Sequence, residues 1–275
     1  MNYTVSGDCV VLSGIADFSP EAIFECGQCF RWNADENGVY SGVAFGKQLE
    51  IWRAGDDVAL KTTERDFKEV WQGYFDLGTD YAGIRRHVSI NEHMEKAARF
   101  GAGIRILRQE RWEALCSFII SQCNNIPRIK KIVETLCSLF GEEISPGRFA
   151  FPGAEKIASL TEERLSPLRA GYRAKYILEA ARAVSSGDID LRALSEAPGE
   201  EALRKLKALP GVGDKVASCV MLFGLGQLDA FPIDVWVKKA LRARFDSDFD
   251  PCVFSPYAGV AQQYIFYYER NRDGK

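Results

Sequence analysis

The sequence predicts an α+β protein, mainly helical, with an antiparallel β-sheet confined to its N-terminal part. Three observations carry this expectation. Up to about residue 78, short runs of β-branched and aromatic residues alternate with Gly, Asp and Asn turns. From Tyr81 onward, apolar residues recur at helical spacing. With 275 residues, 47% of them hydrophobic, the chain has room for one large core or for two that share an interface.

Taken in order, the pattern predicts strands over 3–12, 38–44, 49–53 and 58–62, then a helix around 66–74 packed on the sheet. Helices follow over 112–121, 128–139, 155–159, 162–168, 174–185 and 191–195, and then a helical pair at about 199–224. The absence of a long linker or low-complexity stretch implies two tightly packed units, 1–100 and 101–275. No apolar run approaches the roughly 20 residues of a membrane span. The start, MNYTVSGDCVVL, lacks the basic and apolar regions of a signal peptide, so no secretion is expected. Eight scattered cysteines fit reduced thiols better than a disulfide framework. Cys26 and Cys29 form a Cys-x-x-Cys, but the only histidines are His87 and His93, so two buried thiols are favoured over a zinc site.

The net charge of −3 and pI near 5.6 argue against a nucleic-acid partner; the distribution of charge does not. Between Leu203 and Arg244 eight Lys or Arg face three Asp, a local balance of +5. This stretch breaks at Leu209-Pro210-Gly211-Val212-Gly213. Pro210 ends one helix, and Gly211 and Gly213 permit unusual backbone angles with bare N–H groups. Asp214 is expected to cap the next helix. A helix N-terminus of this kind suits a phosphate. Pro232-Ile233-Asp234 then opens a further helix with Asp234 as its cap, and Lys215 shares a face with Cys219 one turn on. Gln262 and Phe266 share another face near the C-terminus.

LPGVGDKVA followed by FPIDVWV resembles the helix-hairpin-helix DNA glycosylase superfamily. Four more segments narrow the resemblance to 8-oxoguanine DNA glycosylase/AP lyases: Gly27-Gln28-Cys29-Phe30-Arg31-Trp32, the run from Gly103 to Ile129, Gly171-Tyr172-Arg173, and the YAGVAQQYIF helix. The resemblance implies Lys215 as Schiff-base nucleophile and Asp234 as stabiliser of positive charge on the sugar. A free lysine, with a pKa of about 10.4, is nearly always protonated at neutral pH, so this chemistry asks the site for a neutral amine. It further implies a lesion pocket of Gly27, Cys219, Gln262 and Phe266. In it the glycine carbonyl accepts the N7–H that 8-oxoguanine has and guanine lacks.

Asn124, Asn125, Arg128, Tyr172 and Arg173 are implied to meet the opposite base and the DNA, and Gly211, Val212 and Gly213 a phosphate. Cys123 stands where the family has the first of three asparagines, which leaves the strictness of cytosine selection open while Arg128 argues for some. Trp236 replaces a usual histidine. The expected partner is double-stranded DNA carrying 8-oxoguanine, met by a monomer in the nucleoid or nucleus. No cofactor is expected beyond a monovalent cation on the hairpin carbonyls. No iron–sulfur cluster is expected, since only Cys252 lies beyond Cys219. Two other readings stay open: an alkylpurine glycosylase of the same fold, and a non-catalytic helix-hairpin-helix DNA-binding protein.

Overall fold

A computed structural model describes residues 2–272. Among these, the N-terminal part forms a six-stranded sheet of β1 (Asn2–Ser6), β2 (Cys9–Ser13), β3 (Asn33–Ala34), β4 (Tyr40–Ala44), β5 (Lys47–Ala54) and β6 (Asp57–Lys61). The order is β1-β2-β6-β5-β4-β3 and every neighbour is antiparallel. The single strand expected over 3–12 is two strands. Gly7, at φ +61°, turns the chain with Asp8 so that Ser6 pairs with Cys9. Alternate residues Val10, Leu12, Leu49, Ile51, Val58 and Leu60 face one way and are buried, as a period of two requires. Against them pack Phe24, Trp32, Trp71 and Phe75, in one cluster of stacked and edge-on rings.

The helix expected around 66–74 is a continuous helical run of three pieces, Glu64–Asp66, Phe67–Trp71 and Gln72–Tyr74, with π geometry in the middle one. The sequence reading missed helix Pro20–Glu25, whose six residues are too few to show a period. Its start is nevertheless well specified: Ser19 accepts from Ala22 N and Pro20 opens the first turn.

The helices given ranges on sequence lie within two residues of them: Arg111–Ile120, Ile126–Phe140, Ala154–Ala158, the 3-10 turn Glu163–Leu168, Arg173–Ser186, Leu191–Glu196, and the pair Gly199–Lys207 and Asp214–Phe223. Val235–Arg244 starts after Asp234 as expected, and Ala258–Asn271 carries the YAGVAQQYIF segment five residues further. They enclose a second core around Leu115, Ile119, Ala217, Val220, Val260 and Ile265. Helices Tyr81–Val88 and Glu92–Phe100 contribute Tyr81, Ile84, Met94 and Ala97 to this same core, although they precede residue 100.

The irregular segment 104–109 joins the two cores through hydrogen bonds. Gln28 is fully buried; its amide donates to the carbonyls of Ile23 (2.9 Å) and Arg105 (2.8 Å) and accepts from Leu107 N (2.9 Å). Gln109 Nε2 returns a bond to the Gln28 carbonyl at 2.7 Å. Arg105, also buried, donates to the carbonyls of Ala16, Asp17 and Asp76 beneath the Tyr81 ring. Each such donor would cost roughly 1–3 kcal/mol if left unpaired, so the segment is held in one conformation.

Candidate active site

Lys215 lies in the first turn of helix Asp214–Phe223. Its Nζ donates to Ser121 Oγ at 3.2 Å and sits 5.4 Å from the centre of the Phe118 ring. Phe118 in turn stacks on Phe223 and meets Phe30 edge-on, which gives the ammonium an apolar floor. Asp234 caps helix Val235–Arg244, accepting from Val237 N at 2.8 Å. Burial raises its carboxyl above the ordinary aspartate range, against the pull of that N–H and of the Lys215 ammonium.

Six of the residues singled out on sequence come together. Gly27, Lys215, Cys219, Asp234, Gln262 and Phe266 line one pocket of about 70 Å³, with Cys26, Phe118, Phe223, Pro232 and Gln263 completing the wall. The pocket adjoins a cleft of about 380 Å³ bordered by Ser121, Asn124, Asn125, Ile126, Trp236 and Arg270. Gly27 has φ +78°, and a Cβ there would stand 3.2 Å from the Phe266 ring, so the loop and the ring are in close contact. Burial pushes the Cys219 thiol up to about 11, with Lys215 pulling the other way. Gln262 is buried, and its side-chain oxygen accepts from Gln263 Nε2 at 2.9 Å.

The residues expected to meet the opposite base are placed unevenly. Asn125 caps helix Ile126–Phe140 by accepting from Arg128 N, and Asn124 donates to the Ile120 carbonyl. Arg128 is exposed and donates to the Arg169 carbonyl at 3.1 Å. Tyr172 is 51% exposed, edge-on to Tyr176. Arg173 is only 4% exposed, and its guanidinium donates to the carbonyls of Gln122, Cys123 and Ala170. It therefore braces the loop in which Cys123 takes the left-handed φ of +46°.

In the hairpin, Gly211 has φ +77° and a Cβ would overlap the Tyr176 ring, while Val212 is buried and donates to the Leu209 carbonyl. Asp214 is not the cap that its position suggested. Gly213 occupies the cap position and Asp214 is the first helical residue, its carboxylate 2.5 Å from Lys207 Nζ. No side chain caps this helix, and its first-turn N–H groups point beyond the helix end. Trp236 is half-buried with the Lys239 ammonium over its ring, and neighbouring Val235 is 78% exposed.

Residues 10–115 match the family described as 8-oxoguanine DNA glycosylase, N-terminal domain, and residues 116–248 the HhH-GPD superfamily of base excision DNA repair proteins. A solved structure of MBOgg1 in complex with a low affinity DNA ligand is 42% identical, with a TM-score of 0.93 over 100% of this chain and 99% of that one. The chain belongs to the 8-oxoguanine DNA glycosylase family.

A second family structure, the Clostridium acetobutylicum 8-oxoguanine glycosylase/lyase in complex with double-stranded DNA containing cytosine opposite to 8-oxoG, is 37% identical. Its TM-score is 0.92 and the match covers 99% of both chains. The N-glycosylase/DNA lyase of Saccharomyces cerevisiae is 34% identical over 256 residues, 80% of this chain and 66% of that protein. The chain thus spans just under two thirds of the length of this curated relative. A 3-methyladenine DNA glycosylase from Archaeoglobus fulgidus shares the fold, with a TM-score of 0.72 at 20% identity.

Two residues beside Lys215, Phe118 and Ser121, were not found by sequence reasoning, nor was Gln28 behind the Gly27 loop. Gln28 stood inside a quoted motif, and its burial was the missing information. Ser121 lies 94 positions from Lys215, a pairing that no local pattern encodes.

Proposed function

We propose that this chain excises 8-oxoguanine from duplex DNA, preferably opposite cytosine, and then cleaves the strand at the resulting abasic site. One observation carries the reading: a lysine and a carboxylate suited to imine chemistry line the same pocket as Gly27, Cys219, Gln262 and Phe266. Extruding a base costs a few kcal/mol. Stacking on the Phe266 ring returns about 1–3 kcal/mol of this. Gln262 offers both a donor and an acceptor to a purine edge, and the Gly27 carbonyl is the acceptor for N7–H.

Lys215 Nζ, once neutral, attacks C1′ of the extruded nucleotide. The C1′–N9 bond breaks and its electron pair leaves with the base, which takes up a proton. The nitrogen then gives up a proton, its lone pair expels O4′, which takes up a proton as the sugar ring opens, and an iminium is left on Lys215. Loss of a proton from C2′ then expels the 3′ phosphate with its bonding pair. The Asp234 carboxylate stabilises positive charge on the sugar as the base departs. The uncapped first turn after Gly211-Val212-Gly213 receives a backbone phosphate, with a monovalent cation on the hairpin carbonyls as a further aid. The scheme uses neither an iron–sulfur cluster nor another cofactor, and a single copy of the chain suffices.

Borohydride trapping on a duplex with one 8-oxoguanine opposite cytosine tests the reading. A covalent adduct is expected from wild type and none from Lys215→Gln. Base release without an adduct would point to water as the nucleophile, and binding with no release to a non-catalytic DNA-binding role.

A further inference from the structure

Arg270 stands one turn beyond Phe266 on helix Ala258–Asn271, so the two side chains share a face. Its guanidinium carbon is 5.9 Å from the centre of the Phe266 ring. Its Nη1 donates to the backbone carbonyl of Glu25 at 3.4 Å. Glu25 ends helix Pro20–Glu25, and Gly27 follows two residues later. The Glu25 carboxylate lies 3.8 Å from Lys130 Nζ, which also donates to the Trp32 carbonyl at 2.6 Å. Two cations from two different helices thus converge where the chain leaves its short helix and enters the Gly27 loop. The Phe266 ring is confined, with the Gly27 loop in close contact and the guanidinium over the ring.

We propose that Arg270 is a positioning residue that sets the width of the lesion pocket by holding the Phe266 ring against the Gly27 loop. This rests on the excision reading above and adds to it a determinant on the C-terminal helix that touches neither Lys215 nor Asp234. A planar guanidinium can stack on an aromatic ring and hydrogen-bond a carbonyl at the same time, which a lysine ammonium does less well. The ring matters only while a base is in the slot. Once the base has gone, imine formation and strand cleavage do not need it. The role therefore predicts a split between two substrates that a general loss of structure would not produce.

The experiment compares wild type, Arg270→Met and Arg270→Lys in single-turnover reactions on two duplexes, one with 8-oxoguanine opposite cytosine and one with a preformed abasic site. Thermal melts check folding. For Arg270→Met, base release is expected to slow roughly tenfold, with Arg270→Lys in between. Strand cleavage at the abasic site is expected to stay within about twofold of wild type for both variants. Equal losses on both duplexes would overturn the proposal in favour of a contact to the DNA backbone. No loss on either would show that the pocket keeps its width without the guanidinium. Should Arg270→Met fail to fold, the same split in Arg270→Lys decides. A wild type that cleaves the abasic duplex but leaves 8-oxoguanine in place would sink the excision reading itself and this proposal with it.

Discussion

Lys215 and Cys219 share one helix face and line one pocket, yet their surroundings differ. The ammonium has the Ser121 hydroxyl as a partner and is half-buried, whereas the thiol is buried and pushed up to about 11. At pH 8 a thiol of that pKa is about 0.1% thiolate, and only the thiolate attacks alkylating reagents. Iodoacetamide mapping at pH 8 should therefore label exposed Cys123 and Cys252 well before Cys219. Early loss of Cys219 would contradict the burial described. At this scale the sequence brought out the residues proposed to do the chemistry, because Lys215 and Asp234 sit in local motifs. It hid the residues that hold them. Phe118 and Ser121 touch Lys215 across 97 and 94 positions of chain, and periodicity reports only on near neighbours.

The hairpin is an element whose geometry depends on a single missing side chain. Gly211 combines φ +77° with a backbone pressed against Tyr176, so that Gly211→Ala meets both backbone strain and overlap with a ring. Strain and overpacking each cost on the order of 1–3 kcal/mol. A lower melting temperature is expected, together with weaker binding to undamaged duplex at low salt, measured by fluorescence anisotropy. Unchanged affinity would remove the hairpin from the DNA surface. Turn chemistry made this element legible in advance, since Pro and Gly restrict or free the backbone wherever they stand. The Asp214 cap was misjudged by one residue for a related reason. Gly213 adopts an extended conformation that serves as the cap, leaving Asp214 inside the helix to pair with Lys207. Helix Pro20–Glu25 escaped notice because six residues carry less than two turns of pattern.

At the scale of the molecule, the sheet-bearing part and the helical part are sewn together by buried polar groups. Among them Arg31 donates to the Phe149 carbonyl and pairs with Glu113 at 3.5 Å. Burial raises the Glu113 carboxyl to about 7, with Arg31 pulling it down. An unfolded Glu titrates near its ordinary value of about 4.3, so the folded chain keeps this proton over a pH range where the unfolded chain has lost it. The resulting stability is present in full below about pH 4.3 and is lost as pH rises through about 7. Melting temperatures of wild type relative to Glu113→Gln should accordingly fall between pH 5 and pH 8. A constant difference would show that Glu113 titrates alike in both states. The two-part layout was readable from the change of periodicity near residue 80, but this seam was not, because Gln28, Arg31 and Arg105 look like surface residues to any composition rule. The seam also divides the proposed pocket between two stretches of chain. Gly27, the group implied to tell damaged from normal purine, reaches the pocket from the sheet side of the seam, while the amine and the carboxylate come from the helical side. A change in the first thirty residues can therefore alter the contact proposed for N7–H while the proposed amine and carboxylate, and the Cys219, Gln262 and Phe266 walls, stay as they are.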